Sequence, residues 1–275
     1  MTKLEYTFKT DTLFKMLFVK YPDLLKRLVS DLLRIRLESI EQFQITNSEM
    51  TAENMGDKFC RLDINMKVDG QLVDLEIQVE NNGAYPERVM YYWAREYSAA
   101  LPEGKDYSML PRTIIISIID FNLFDCAEYH SEYRALEVTR HTELSDKMSL
   151  HFFELLKVPT ELDANNMLLL WLSLFKANTE EELAKIESMG VPVMGEAINA
   201  YQHVKSTAEF REYERVRSKA RHEEAQAIRH AEQVGEKRAD ARWQTVVADK
   251  DAKWQTVVAD KDAEIARLRQ LLGTG

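Results

Sequence analysis

Two acidic residues, Asp63 and Glu76, are separated by twelve residues with the pattern of a β-hairpin. The runs KFCRLDINMKV and QLVDLEIQVE each alternate between apolar and polar residues, and the Asp69-Gly70 dipeptide between them is typical of a two-residue turn. Placing Asp69 and Gly70 at the centre of the turn fixes which residues face each other. The predicted opposed pairs are Asn65 with Asp74, Asp63 with Glu76, and Arg61 with Gln78.

Opposed residues of an antiparallel pair have Cβ atoms about 4.5 to 5.5 Å apart, so Asp63 and Glu76 repel unless something compensates their charges. The pattern therefore predicts either a raised pKa or a bound cation. Asp74 and Gln78 lie on the same face as Glu76 and add oxygen ligands, a donor set that suits Mg²⁺ or Mn²⁺ better than Zn²⁺. Such an ion can polarise a phosphodiester and lower the pKa of a bound water, as a nuclease requires. The alternative is an ordinary solvated strand face in which Arg61 offsets the acids.

The other face of the hairpin is apolar and predicts a core contact, through Leu62, Ile64, Met66, Val73, Leu75 and Ile77. Residues 11–35 before it show helical apolar spacing, which predicts two amphipathic helices broken near Pro22. Asp11 or Thr12 can cap the first helix. The segment at about 41–53 alternates loosely and could be a first strand.

Residues 85–101 after the hairpin predict a helix, and RTIIISIIDF at 112–121 predicts a strand buried on both faces. A helix between two strands indicates a crossover unit and an α/β fold. Two alternating runs, EYRALEV and MSLHFFELL, extend the sheet, with the charged segment TRHTELSDK predicted as the loop between them.

Only helices are predicted after Pro159: NNMLLLWLSLF, then TEEELAKIESM with a capping pair of Thr179 and Glu182, and one or two long charged helices from about residue 194. The sequence WQTVVADKDA occurs at 243–252 and again at 254–263, an 11-residue period that favours a right-handed supercoil. We interpret this end as a coiled coil that makes the protein a homo-oligomer. The predicted domains are 1–157, a nuclease-like domain; 158–210, a helical region; and 211–275, a long charged helix.

Composition narrows the class of protein. The net charge of −10 argues against a broadly basic protein that coats nucleic acid, although an acidic metal site remains compatible with it. Two cysteines, no apolar run of roughly 20 residues and no visible signal peptide predict a cytoplasmic protein without a membrane segment. The six histidines show no paired ligand spacing, and no glycine-rich phosphate loop supports a nucleotide triphosphatase.

Four stretches together resemble a known superfamily: DTLFKMLF at 11–18, LDINMKVDGQLVDLEIQ at 62–78, ERVMYYWAREYS at 87–98, and a G-x-x-Y segment at 104–107 leading into RTIIISIIDF. The chain resembles the PD-(D/E)XK nucleases over about residues 7–125, and within them the Rpn branch of recombination-promoting nucleases and transposases. The resemblance implies a restriction-endonuclease-like core with Asp63 and Glu76 as metal ligands. It also implies a Mg²⁺-dependent (or Mn²⁺-dependent) DNA endonuclease acting in recombination or on mobile or foreign DNA.

Gln78 stands where the superfamily usually has lysine, and an amide can donate a hydrogen bond but carries no charge. Lys67 or Lys15 could serve as the base instead. Three further residues join the predicted site. Asp11 is either the helical acid of the family site or a helix cap, and Arg88 and Tyr92, one turn apart, could contact phosphate unless Tyr92 packs in the core. The alternative functions are a catalytically weak or inactive nuclease fold that binds DNA or protein, and a purely structural coiled-coil adaptor.

Overall fold

A six-stranded mixed sheet forms the centre of the fold, with strand order β1-β2-β3-β4-β6-β5. The structure, a computed structural model, describes residues 2–47, 63–81 and 83–273. The strands are β1 (Phe43–Ile45), β2 (Ile64–Val68), β3 (Gln71–Gln78), β4 (Thr113–Ile119), β5 (His130–Leu136) and β6 (Glu143–Glu154). The helices of the same unit, with the sheet, make an α/β architecture, which confirms the predicted fold class.

The hairpin of β2 and β3 has the predicted register, with Asn65 opposite Asp74. Asp69 and Gly70 both have positive φ, 47° and 78°, as the two central residues of this kind of turn require. The Asp69 carboxylate also accepts hydrogen bonds from the backbone N–H groups of Glu41 (3.0 Å) and Gln42 (2.8 Å), so the turn is fastened to the segment before β1. Arg61 and Leu62 lie outside the described residues, and with them the predicted pairing of Arg61 with Gln78.

The crossover is also as predicted. Helix α3 (Tyr85–Ala99) joins β3 to β4, the two strands are parallel, and every residue of β4 is buried. Strand β6 pairs in parallel with β4 on its other side, and β5 is an edge strand antiparallel to β6.

The two faces of the sheet are covered differently. On one face, which we call the helical face, apolar residues of β3, β4 and β6 pack in one core cluster with the helices before β1 and after β6; these residues are Val73, Leu75, Ile114, Ile116, Ile118 and Phe153. On the other, which we call the α3 face, Tyr85 and Val89 of α3 pack on Ile115, Ile119, Leu150 and Phe152. Glu76 and Gln78 alternate with Leu75 and Ile77 along β3 and therefore belong to the α3 face.

The N-terminal helices are α1 (Asp11–Lys20) and α2 (Pro22–Leu32), so the predicted break before Pro22 is confirmed. The predicted cap is wrong, because Thr10 holds the N-cap position and Asp11 is already helical. Asp11 still serves the first turn, since its Oδ1 accepts a hydrogen bond from the Thr12 N–H at 3.0 Å.

The predicted loop at 139–147 is partly wrong, because β6 begins at Glu143. Beyond a register shift, Ala135 pairs with Ser145 and Leu136 with Glu143, which extends the hairpin past the core. Charged side chains are tolerated there because that end of the strand is largely exposed. Of the predicted first strand, β1 covers Phe43–Ile45, and residues 48–53 lie outside the described residues.

The C-terminal helices are α4 (Met167–Lys176), α5 (Glu180–Glu187), α6 (Pro192–Ser206) and α7 (Ala208–Leu272). The capping box of Thr179 and Glu182 at the start of α5 is confirmed. The chain divides into two compact units, Met1–Arg217 and Ser218–Gly275, and the second consists of the later part of α7. Among the described residues, no helix has the length and apolar character needed to cross a membrane.

Candidate active site

Glu76 is the centre of the polar contacts on the α3 face. Its Oε1 accepts a short hydrogen bond from the hydroxyl of Tyr85, the first residue of α3, and another from Ser117 Oγ on β4 at 3.2 Å. Ser117 lies opposite Glu76 in the parallel pair of β3 and β4, which explains its approach. Both donors use the same oxygen. The second oxygen, Oε2, accepts no hydrogen bond from the part of the chain that the structure describes, which leaves it available to a ligand.

Burial raises the pKa of the Glu76 carboxyl above its usual value. The Tyr85 hydrogen bond, the positive charge of Arg88 and the Ser117 hydrogen bond act in the opposite direction, and the negative charge of Asp63 raises the pKa further. The same burial, together with the charge of Glu76, raises the pKa of the Tyr85 phenol, so Tyr85 remains a proton donor in this contact. A cation next to Glu76 would offset both the burial and the repulsion from Asp63.

Gln78, one alternation beyond Glu76, is held at both ends of its amide. Its Oε1 accepts a hydrogen bond from Arg88 Nη2 at 2.8 Å, and its Nε2 donates to the backbone carbonyl of Glu80 at 2.8 Å. Arg88 is one turn after Tyr85 on α3, and its guanidinium carbon lies 4.7 Å from the centre of the Tyr85 ring. The amide that replaces the expected lysine therefore orients an arginine on the neighbouring helix.

Asp63 immediately precedes β2. Asn47 fixes this end of the strand, because its Nδ2 donates to the Asp63 carbonyl at 2.9 Å and to Asn65 Oδ1 at 2.6 Å, while its Oδ1 accepts from the Asn65 N–H at 2.8 Å. The register pairs Ile64 with Leu75. Asp63 precedes Ile64 and Glu76 follows Leu75, so a continuation of the same pairing sets Asp63 opposite Glu76. The charge of Asp63 reaches Glu76, as the pKa of Glu76 shows.

The donor set of Asp63, Glu76 and Gln78 fits a hard divalent cation. All three residues carry side-chain oxygens, but Gln78 Oε1 already accepts the hydrogen bond from Arg88, whereas Glu76 keeps Oε2 for a ligand. Within residues 2–47, 63–81 and 83–273, no group of three or more His, Cys, Asp or Glu side chains is arranged to hold a metal ion. An ion here would accordingly rest on two carboxylates and complete its shell with water or substrate oxygens, as Mg²⁺ commonly does.

The remaining predicted residues are placed as follows. Asp74 is on the α3 face of β3, as Glu76 and Gln78 are, and is 4% exposed. Tyr92 lies one turn after Arg88 on α3, half-buried, with its ring 5.7 Å from that of Tyr91. Asp11 contacts Arg217 of α7, Nε to Oδ2 at 3.6 Å, and Lys15 is 4% exposed within α1, whose apolar residues pack on the helical face. Lys67 is exposed on β2.

Sequence reasoning missed Tyr85 and Ser117. Ser117 is the one polar residue inside the run IIISII, and that interruption was a usable signal. The sequence does not predict a histidine cluster, yet His130 Nε2 and His151 Nδ1 lie 3.1 Å apart across β5 and β6, and Ser149 Oγ lies 2.9 Å from His151 Nε2. His130 and His151 are 21 residues apart and meet only because β5 pairs with β6, so no local spacing in the sequence reveals this contact.

Comparison with known proteins identifies the protein family of this chain. The family model described as PD-(D/E)XK nuclease family transposase matches residues 8–231, most of the chain. The chain belongs to this family. The match confirms the resemblance read from the four sequence stretches and supports a nuclease-type function for the transposase-family domain. Neither the curated proteins nor the solved structures contain a significant match.

Proposed function

We propose that this PD-(D/E)XK family member is a divalent-metal-dependent DNA endonuclease that acts in recombination or on mobile or foreign DNA, with Asp63 and Glu76 as the metal ligands and Mg²⁺ or Mn²⁺ as the ion. The observation that carries the proposal is Glu76. It is a carboxylate buried beside a second carboxylate, with one oxygen fixed by two hydrogen bonds and the other available. Structural carboxylates in a core are normally satisfied at both oxygens, whereas a ligand must keep one for its ion.

The bound ion would polarise the phosphodiester and lower the pKa of the attacking water. The role of the protein is to hold the two carboxylates in a fixed orientation. Tyr85 and Ser117 hold the Glu76 carboxylate in one orientation, and the hairpin turn fixes Asp63 opposite it. Orientation of this kind matters because small displacements of ligands weaken metal binding and slow the reaction.

Arg88 is proposed as the cation that takes over the electrostatic role of the usual lysine. Its hydrogen bond to Gln78 Oε1 and its position over the Tyr85 ring point the guanidinium into the site. A guanidinium stays charged at all working pH values, so it can stabilise developing negative charge on the phosphate but is a poor base. Arg88 would therefore stabilise charge on the phosphate and leave proton transfer to other groups.

The test is nicking of supercoiled plasmid DNA by the full chain with Mg²⁺, Mn²⁺ or EDTA. We expect nicking that requires the metal and is abolished by Asp63→Ala and by Glu76→Ala. Glu87→Ala is the matched control, because Glu87 is exposed on the first turn of α3 and should leave nicking unchanged. Equal residual nicking in the wild type and both site variants would overturn the proposal and favour an inactive module that binds DNA or protein.

We also propose that α7 assembles copies of this chain. In the repeats Trp243 and Trp254 are 66% and 67% exposed, and six further apolar residues are exposed in the same phase: Val246, Val247, Val257, Val258, Ile265 and Leu268. An advance of 11 residues turns a helix by about 20° beyond whole turns, so these residues form one continuous stripe.

In this proposal the apolar stripe packs against α7 of a second copy of the chain, and the positions of the charged residues support this partner. Lys250 lies within the stripe, seven residues after Trp243, and aspartates flank it at 249 and 251; the next repeat has the same arrangement around Lys261. An identical helix presents the same lysines to these aspartates, and burial of the stripe would remove apolar surface from water.

Light scattering of the full chain tests the assembly. Deletion of residues 241–275, or the double substitution Trp243→Glu and Trp254→Glu, should lower the molecular mass to that of a smaller species. Gln244→Glu with Gln255→Glu adds the same charge beside the stripe and should leave the mass unchanged. A monomeric wild type would rule the assembly out.

A further inference from the structure

The aromatic residues of α3 differ in what they contact. Tyr85 is buried and Trp93 packs against the apolar residues beneath the helix, while the ring of Tyr97 stacks on that of Trp93 at 5.1 Å. Tyr91, by contrast, is 61% exposed, and its ring lies 5.7 Å from that of Tyr92 at an angle of 60°. Packing of the core therefore does not account for an aromatic residue at position 91.

Two arginines flank Tyr91 on the same side of α3. A helix turns about 100° per residue, so Arg88, Tyr91 and Arg95 lie within an arc of about 60°. We call these three residues the α3 strip. Its two arginines are about 10 Å apart along the helix axis, with the tyrosine between them. Arg95 is exposed, and its guanidinium makes no ion pair with any residue that the structure describes.

The α3 strip begins at the candidate active site. At its first end Arg88 donates a hydrogen bond to Gln78 Oε1 at 2.8 Å, and Gln78 is one alternation beyond Glu76 on β3. From there the strip follows α3 away from the metal ligands. Glu87 borders the strip at the first turn of the helix, and Glu96 lines a cavity at the sheet. The strip itself carries two positive charges and no acid.

An aromatic ring between two arginines is complementary to a nucleic-acid strand. Guanidinium groups bind phosphates through charge-assisted hydrogen bonds, and an exposed ring stacks on the face of a base. In a duplex the faces of the bases are covered by the neighbouring base pairs, so only an unpaired base can stack on Tyr91. The exposed ring therefore favours a single strand over a duplex.

We propose that the α3 strip binds single-stranded DNA, with Tyr91 stacked on an unpaired base and the two arginines on the flanking phosphates. The choice of DNA rests on the proposed nuclease function, and the proposal names the substrate class of that site: DNA with an unpaired segment beside the scissile phosphate. A negatively supercoiled plasmid is a compatible substrate, because supercoiling favours local opening of the duplex.

Binding of DNA without metal tests the proposal. Fluorescence anisotropy of the full chain in EDTA measures affinity for an oligothymidine of about 20 nucleotides and for a duplex of equal length at the same salt concentration. We expect the single strand to bind about tenfold more tightly. Because EDTA prevents metal-dependent cleavage, this measurement is independent of nicking.

Variants of Tyr91 test the stacking. Tyr91→Ala should weaken binding of the single strand about tenfold, whereas Tyr91→Phe keeps the ring and should bind within about twofold of the wild type. Neither substitution should change the affinity for the duplex. Equal losses in the alanine and phenylalanine variants would overturn the assignment of the ring to a base.

Variants of Arg95 test the phosphate contact. Arg95→Gln should weaken binding of the single strand about threefold and reduce the slope of log affinity against log salt by about 0.7, which corresponds to one phosphate contact. Arg95→Lys keeps the charge and should keep the wild-type slope. A residue that only stabilises the helix would not change this slope, so an unchanged slope in Arg95→Gln would contradict the contact.

Photo-cross-linking locates the strand on the chain. An oligonucleotide that contains 5-iodouracil couples to aromatic side chains on which its bases stack. Trypsin cuts after Arg88 and Arg95, so a cross-link to Tyr91 should appear on the peptide of residues 89–95 and be lost in Tyr91→Ala. Cross-links confined to Trp243 and Trp254 would place the strand on α7 and overturn the proposal.

The remaining outcomes separate this proposal from its alternatives. Equal affinity for single strand and duplex, or wild-type affinity in Tyr91→Ala, would overturn it. A lower molecular mass of Tyr91→Ala in light scattering, with DNA affinity unchanged, would identify the strip as a contact between copies of the chain and would also overturn it. Ring-dependent binding without any nicking would support the strip and reject only the nuclease function.

Discussion

The two faces of strands β3 and β4 differ in what they bury. On the helical face, Leu75 and Ile116 are fully buried among apolar side chains of the helices. On the α3 face the same two strands bury Asp74 and Ser117 and half-bury Glu76, between patches of hydrophobic residues. Because side chains alternate along a strand, one face can stabilise the fold while the other holds costly polar groups. Substitutions on the α3 face should therefore lower activity, whereas substitutions on the helical face should lower stability.

The largest effect is expected from Glu76→Gln. The amide keeps an oxygen for Tyr85 and Ser117 but loses the charge that would bind a metal, so the nicking rate should fall on the order of 1,000-fold, about 4 kcal/mol in activation free energy. The fold should remain intact. Nicking rates and thermal unfolding of the same preparation measure both. A variant that unfolds as it loses activity would show that the α3 face also carries the fold.

Ile116→Ala should give the opposite pattern. It removes a fully buried side chain from the helical face, so the free energy of unfolding should fall by about 3 kcal/mol. Nicking per folded molecule should stay close to wild type. Urea unfolding measures the loss, and Leu136→Ala, an exposed residue of β5, is the control. Equal losses in the two variants would contradict the packing argument.

The helical face also buries polar residues, and one of them is His151, which lies opposite Ile116 in the pair of β4 and β6. Burial lowers the pKa of His151 to about 4, with the carboxylate of Glu132 opposing the shift. The unfolded chain takes up the proton near pH 6.5, but the folded chain does so only near pH 4. The folded state therefore binds fewer protons in this window and loses stability as the pH falls from about 6.5 to 4, by about 3 kcal/mol.

The variant His151→Gln cannot take up this proton, and its unfolding free energy should fall less between those pH values. His222→Gln, on an exposed turn of α7, should behave as wild type. Urea unfolding across the pH range is the measurement, and parallel curves for wild type and His151→Gln would disprove the assignment to His151.

The smallest effect is expected from Arg88→Lys. Lysine keeps the positive charge but cannot reproduce the planar contact with Gln78 and the Tyr85 ring, so nicking should fall about fivefold, near 1 kcal/mol. Stability should change by less than about 0.5 kcal/mol. Glu87→Asp, on an exposed position of the same helix, is the control. Wild-type nicking in Arg88→Lys would show that charge alone is enough at this position.

Much of the fold was predictable because it is encoded locally. The Asp69-Gly70 turn predicted the register, and the apolar run at 114–119 predicted a central strand. Contacts between distant segments were not predictable. Tyr85 and Ser117 meet Glu76 only because β4 lies beside β3, and His130 meets His151 only because β5 pairs with β6. Strand order arises from packing of the whole domain, which no local pattern contains.

The Asp69-Gly70 turn also bears on the order of events in folding. A two-residue hairpin closes within microseconds, whereas the parallel pairing of β3 with β4 must wait for the α3 crossover. Asp63 and Glu76 are thus brought face to face before Tyr85 and Arg88 arrive to relieve them. The two carboxylates would repel each other in the isolated hairpin, so divalent ions present during refolding should speed the formation of the hairpin.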